Sequence, residues 1–425
     1  MDRKPLRIGL FTDTYEPQIN GIVTSVNSLR DAIIARGHEV FVFSPKMKGD
    51  GVAGPYAFKQ RAVPYPFQPE YRMASMLSRK ASDRAREMRL DIVHAHSEMG
   101  MGIVAARVAR MLGVPHFFTL HVMLENFRDY FLWGVLPLGI TRDYLSSVYM
   151  GPDFIIAPSE KIRHYLRDTL EVDRPIEVIP TGLDLERFYE FDWSPEERNA
   201  WRRGFGISED NMVIASVGRI SDEKGIDVAL RGIPRIRKDH PKVKYLIVGG
   251  GPAERRLKEL ARLLGIEREV VFTGYVKPED IPRAYKAADV FAFTGTSESQ
   301  GLVTIEAMAC GLPVVMKRDP GGVNEFEAGG HAILFDDDAG FPEAVARLLA
   351  DSRNIKSMAE EARELTKLFG RDRFGARVED YYYRAIDQYS AGPPYGLPQF
   401  FGEYARRRLR SRGLARTAVT GCSGT

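Results

Sequence analysis

Cysteine is nearly absent. The 425 residues hold two, Cys310 inside an apolar run and Cys422 close to the end, too few for a disulfide framework and suited to a reducing compartment. Long hydrophobic runs are missing as well: the longest uncharged apolar stretch, 131–140, falls well short of the roughly 20 residues that a spanning helix needs. The opening MDRKPLRIGLF passes straight into a strand pattern, without the layout of a signal peptide. Neither sign of charge dominates. Lys and Arg number 60 against 57 Asp and Glu, a net +3, and six arginines (406, 407, 408, 410, 412, 416) against Glu403 in the last 24 residues leave the rest near −2. No overall basicity speaks for nucleic acid. These features suggest a soluble, cytoplasmic protein with a basic tail.

What is present is alternation. Short β-branched runs at 6–12, 39–43, 91–95, 115–120, 154–157 and 176–179 are separated by helical patterns such as 23–36 and 98–112. Several of the runs are apolar on both faces, as buried parallel strands are. After a polar interval at 184–206 the pattern restarts, with strands at 212–217, 243–248, 270–273, 290–293 and 313–316. Strand–helix alternation of this kind predicts an α/β protein of two Rossmann-like, doubly wound domains facing across a cleft. The expected division is 1–190, then 205–372, a returning helix at 373–390 and a basic tail at 391–425, with the polar interval as linker and hinge.

The chemistry concentrates in GTSESQGLVTIEAMACGLPVV, residues 295–315. Glu298 falls in a strand-to-helix loop, and Glu306 follows on the helix after seven intervening residues. Between them Gly301, Leu302 and Val303 offer free N–H groups at a helix start, where the macrodipole favours an anion. An acid that merely suits a helix N-terminus, plus a solvated glutamate, is the plainer reading of the pair. Elsewhere, SVGRISDEKGIDVAL (216–230) places Arg219 and Lys224 in one strand-to-helix loop; two cations there suit a diphosphate leaving group, or are simply surface charges. His121 ends the strand in FFTLH, where a lone histidine is more often a satisfied core residue. Asn20-Gly21 in FTDTYEPQINGIVTSV lets backbone approach a ligand at a helix start. The stretch lacks GxGxxG, which weakens a dinucleotide oxidoreductase reading. Asp336, Asp337 and Asp338 are assigned to helix capping and solvation, with no metal site.

From residue 6 to about 389 these motifs together resemble the retaining, nucleotide-sugar-dependent glycosyltransferases of family 4, which have the GT-B fold. The resemblance implies that Glu298 holds hydroxyls of the transferred sugar and Glu306 the ribose. Arg219 and Lys224 would hold the diphosphate, with Gly21 facing it. His121 would bond the sugar or acceptor, Tyr275 and Val276 would lie at the base, and Gly301, Leu302 and Val303 would offer the helix start. It implies a nucleotide-sugar donor such as UDP-glucose, no required metal or other cofactor, and front-face substitution with retention of the α-anomer. Glu125 and Tyr130 would face the acceptor.

Within the family, TDTYEPQING together with Gln300 looks most like the bacterial diacylglycerol glucosyltransferases. That implies transfer to a membrane lipid such as diacylglycerol or its monoglycosyl form; a mannosyl- or polysaccharide-type transferase and a non-catalytic GT-B binding protein are the alternatives. Residues 71–89, YRMASMLSRKASDRAREMR, read as a helix with Met73, Met76, Leu77, Ala81, Ala85 and Met88 near one face and Arg72, Arg79, Lys80, Arg84, Arg86 and Arg89 around it. It is either an interfacial helix or a surface helix packing that stripe on the core. With the apolar 127–140 segment and the arginine tail, it suggests peripheral association with an anionic membrane at the inner face of the plasma membrane.

Overall fold

The structure is a computed structural model that describes residues 3–47, 57–65, 68–75, 79–123, 138–319, 331–350 and 352–390. The chain forms two compact units, one of Met1–Pro158, Ile162–Ile179 and Ala376–Thr425, the other of Ser159–Lys161 and Pro180–Gly375.

The first unit is built on β1 (Arg7–Phe11), β2 (Glu39–Pro45), β3 (Ala57–Gln60), a hairpin of β4 (Ala62–Tyr65) and β5 (Gln68–Ala74), then β6 (Ile92–Ala95), β7 (His116–Thr119), β8 (Phe154–Ala157) and β9 (Ile176–Val178). Seven of them form a parallel sheet in the order β3-β2-β1-β6-β7-β8-β9. Every residue of β6, β7 and β8 is buried, so these strands show no alternation of buried and exposed positions, as in a parallel sheet covered on both faces. The Gly21–Ala35 helix starts where the Asn20 side chain accepts from Val23 N at 3.0 Å. From Ala376 onward the Arg371–Ser390 helix belongs to this unit, and its Tyr381 and Tyr382 set their rings edge-on against Phe117 at 5.2 and 4.9 Å.

The helix expected over 71–89 does not form as one element. Residues up to Ala74 lie in β5, paired antiparallel with β4 so that Val63 stands opposite Met73, and only Arg79–Glu87 is helical. Cross-strand pairing overrides the helical pattern here. On the short helix Ala81, Ser82 and Ala85 are buried, and Met88 just past it packs against the core, so this part of the stretch faces the core. Met76 and Leu77 lie outside the described residues, as do Glu125, Tyr130, most of the 127–140 segment and the arginine tail.

The second unit carries β10 (Met212–Val217), β11 (Val243–Val248), β12 (Val270–Gly274), β13 (Val290–Phe293), β14 (Val314–Lys317) and β15 (Ile333–Phe335). They form a parallel sheet in the order β12-β11-β10-β13-β14-β15. The expected linker at 184–206 is instead part of this unit: it contains helices Glu186–Tyr189 and Pro195–Gly204, and the change of unit comes at Ile179–Pro180. Its polar composition misleads because the charges are paired. Arg202, 1% exposed, sets Nη2 at 3.1 and 3.0 Å from the two Asp289 oxygens and donates from Nε to Ala287 O at 2.8 Å. Ser194 and Glu197 close a capping box at the start of the longer helix. The three aspartates at 336–338 are also engaged: Asp336 with Arg318, Asp337 with Gly340 N, and Asp338 with Lys317.

Candidate active site

In each sheet one strand has neighbours reached by chain paths on opposite sides, and the loops leaving it and its neighbour diverge there to leave a crevice. In the second unit that place is between β10 and β13. The loop after β10 carries Arg219 and Lys224, the one after β13 carries Glu298. They touch through glycine: Gly225 sits at φ +62, and a Cβ there would meet Thr294 O at 2.5 Å. The Thr294 hydroxyl donates to Lys224 O at 3.3 Å. This contact brings the Lys224 ammonium onto the Glu298 carboxylate, the two side chains being 25% and 28% exposed. Arg219 is exposed on the same loop, which is tied to its neighbour by Gly218 N to Val248 O at 2.9 Å and Ile220 N to Gly250 O at 3.0 Å. That approach requires Gly249, where a Cβ would stand 2.0 Å from Gly218 O.

The Glu298 loop is anchored by residues the sequence did not advertise. Buried Lys161 donates to Thr296 O and Glu298 O, both at 3.0 Å, and to the Asp319 carboxylate. The Ser159 hydroxyl donates to Ser299 O at 2.5 Å. Gln300 accepts from Thr181 N at 2.9 Å and donates to Thr181 O at 3.1 Å, so both ends of its amide hold backbone. Gly301, at φ +75, then starts the Leu302–Ala309 helix. Such a backbone favours glycine, and the N–H groups of Leu302 and Val303 lie in the first turn, which lacks intrahelical partners.

Glu306 stands on that helix and accepts from the Tyr285 hydroxyl at 2.8 Å; Val303 O lies 3.1 Å from the same hydroxyl. Burial pushes the Glu306 carboxyl up, against opposing effects of the Tyr285 hydrogen bond and Arg187. Tyr275, 62% exposed, follows Gly274 at the end of β12, and Val276 packs on the unit's core.

In the first unit the corresponding place lies between β1 and β6. Asp13, after β1, accepts from Met101 N at 2.8 Å while its own N–H donates to Ser97 Oγ at 2.8 Å, locking the two loops together. Burial pushes the Asp13 carboxyl up to about 6 and that of Glu98, which accepts from the Tyr149 hydroxyl at 3.0 Å, to about 7. Gly21 is exposed as the first residue of its helix. His121 is half-buried two residues past β7, stacked on His96 with centroids 5.2 Å apart, its Nε2 2.9 Å from His96 Nδ1. Burial pushes His121 down to about 4 and His94 and His96 well below their ordinary range, so all three are neutral near pH 7. His94 is bracketed by the Tyr382 hydroxyl and Thr119 Oγ1, each at 2.7 Å.

The structure therefore pairs Lys224 with Glu298 directly, keeps Arg219 on the same loop, and gives Glu306 a tyrosine partner. Gly21 and His121 belong to the other unit. Sequence reasoning missed Lys161, Asp319, Tyr285, Asp13, Glu98 and His96. Only the last had a usable signal: His94 and His96 stand two apart at a strand end, and so on one face.

Comparison with known proteins identifies the family and the fold. Residues 19–187 match the family described as Glycosyltransferase Family 4, and residues 197–365 the one described as Glycosyl transferases group 1. An alpha-monoglucosyldiacylglycerol synthase of Streptococcus pneumoniae is 32% identical over 386 residues, 90% of this chain and 86% of that protein. A protein of the same name from Acholeplasma laidlawii is 27% identical, over 90% of this chain and 98% of that one. Among solved structures, Anabaena HepE in complex with UDP superposes with a TM-score of 0.69 at 18% identity, covering 89% of this chain and all of that one. Sucrose-phosphate synthase from Thermosynechococcus elongatus gives 0.70 at 20% identity, over 90% of this chain and all of that one. These neighbours share the GT-B fold. With both halves of the sequence matched and a relative above 30% identity along nearly its whole length, this chain belongs to the family 4, group 1 glycosyltransferases.

Proposed function

We propose that the protein transfers glucose from UDP-glucose to diacylglycerol, or to its monoglucosyl form, with retention of the α configuration. The observation that carries this reading is the 32% identity, along 90% of the chain, with a protein named alpha-monoglucosyldiacylglycerol synthase. In this reading Arg219 and Lys224 hold the diphosphate, and the N–H groups of Leu302 and Val303 add the pull of the helix start. Glu298 accepts from hydroxyls of the glucose and Glu306 from the ribose, with Tyr285 orienting the Glu306 carboxylate. Tyr275 and Val276 border the base, Gly21 admits the phosphates closely, and His121 bonds a sugar hydroxyl. The bond from the anomeric carbon to the phosphate oxygen breaks while one to the acceptor oxygen forms on the same face. The acceptor's proton passes to the departing phosphate, whose growing charge the two cations stabilise, so no metal is needed.

The Lys224–Glu298 pair supports this division of labour. A lysine and a glutamate side chain that pair with each other before the donor arrives separate onto phosphate and sugar when it binds. The acceptor lies at a membrane surface, to which the protein attaches peripherally; no described helix is long and apolar enough to cross a bilayer. The test is incubation of the purified protein with radiolabelled UDP-glucose and vesicles containing diacylglycerol and phosphatidylglycerol. The expected result is an α-glucosyl lipid by proton spectroscopy. Transfer only from GDP-mannose, or only to a soluble saccharide, refutes it.

A further inference from the structure

Three histidines stack in a column at the end of β6 and β7. His94 lies 4.3 Å from His96 between ring centroids, and His96 lies 5.2 Å from His121 at an interplanar angle of 19°. Of the three, His121 is the one the proposed function uses. His96 is 3% exposed, its Nδ1 stands 2.9 Å from His121 Nε2, and its Nε2 is enclosed without a hydrogen-bond partner among the described residues.

We propose that His96 is a positioning residue that fixes the tautomer of His121: His96 Nδ1–H donates to His121 Nε2, and His121 keeps its proton on Nδ1 to donate to a sugar hydroxyl oxygen. A neutral imidazole has one N–H and one bare nitrogen, so a bond between two such rings can be drawn in two ways. If His96 Nδ1 accepted, the His96 proton would sit on Nε2, an N–H enclosed with nothing to receive it. Orphaned buried N–H groups are rarer in proteins than under-used acceptors. If His96 Nδ1 donates, only a lone pair is left unused at Nε2, and every N–H of the pair has a use. Burial depresses both rings, which removes the doubly protonated alternative. His94 does not compete for the His121 proton, since hydroxyls of Tyr382 and Thr119 stand at both of its nitrogens. The arrangement makes His121 a fixed donor, the property a ligand oxygen calls for, where a lone ring would divide itself between two forms.

The inference rests on the reading of His121 as a sugar contact, and its test separates the two. A long-range proton–nitrogen correlation spectrum of the full-length protein without substrate reports which nitrogen of His121 carries the proton, whatever the protein's activity. Nδ1 is expected; a proton on Nε2 overturns the proposal. Kinetics with UDP-glucose then read the consequence. His96→Asn keeps an N–H near the Nδ1 position, His96→Gln places one near Nε2, and His96→Phe keeps the stacked ring without a donor. Loss of roughly tenfold or more in kcat is expected for His96→Phe and His96→Gln, with donor KM less affected, while His96→Asn stays within about threefold of the parent. Equal losses in His96→Asn and His96→Phe overturn the positioning role. If His121 carries its proton on Nδ1 and no glucosyl transfer is found, the tautomer assignment stands and the sugar-contact reading falls.

Discussion

Replacing Lys161 by methionine keeps the aliphatic stem and removes only the ammonium. That ammonium has three partners: Thr296 O and Glu298 O at 3.0 Å, and the Asp319 carboxylate. The side chains of Lys161 and Asp319 are 11% and 16% exposed, so the substitution takes a largely desolvated ion pair apart and removes this donor from two carbonyls. Removing one partner of a buried pair costs about 3–5 kcal/mol. Residual exposure, and the freedom of the loop to relax, reduce this to about 2–3 kcal/mol. The strain falls on residues 296–300, the segment that presents Glu298, and so on the proposed donor site. In the proposed glucosyl transfer this predicts a loss of roughly 30- to 150-fold in kcat/KM. Hydrogen exchange over 294–301 should accelerate at the same time. The double-mutant cycle with Asp319→Asn isolates the Lys161–Asp319 interaction, expected at about 1 kcal/mol, or roughly fivefold. If Lys161→Met is within twofold of the parent and exchange is unchanged, the anchor has no functional weight. Strictly additive losses in that cycle refute the ion pair's part in the effect.

Glu306→Gln keeps an acceptor for Tyr285 but removes the charge that the proposed ribose contact uses, and is expected to raise the donor KM roughly ten- to a hundredfold in initial-rate assays. Because burial pushes the Glu306 carboxyl up, donor affinity in the parent should begin to fall, as pH is lowered, above the ordinary carboxylate range; a titration of UDP binding against pH checks this. Arg219→Ala and Lys224→Ala are expected to lower kcat more than they change donor KM, and activity should survive EDTA; strict metal dependence would contradict a cation-held leaving group. Glu98→Gln acts through stability. Its carboxyl is raised from 4.5 to about 7 in the fold, so the stabilising protonated form is lost as pH rises through that interval. Thermal unfolding of Glu98→Gln should therefore show a higher midpoint than the parent at about pH 8 and little difference at about pH 4.

The parallel sheets and their approximate borders are legible in the amino-acid pattern alone. Strands such as 154–157, 212–217, 243–248 and 290–293 are apolar on both faces and coincide with observed ones, because burial on two sides leaves no room for polar alternation. The pattern also determined that Arg219, Lys224, Glu298 and Glu306 follow strand ends, since loop position depends only on where strand and helix patterns meet. What it could not determine was which residues meet across the fold. The polar 184–206 interval looked like a linker because the partner that neutralises Arg202, Asp289, is 87 residues away. The 71–89 stretch looked like one helix because its pattern carries no sign of the strand at 62–65 that pairs with its beginning. Lys161 and Asp319 are an ordinary lysine and aspartate until folding brings 158 positions of separation down to one ion pair. The contact of Lys224 with Glu298 needs β13 beside β10, a strand order set by how crossovers cover both faces of the sheet and by no local property of either segment. Likewise His96 acquires its role only when β7 is laid beside β6, bringing the end of one strand against the end of the other.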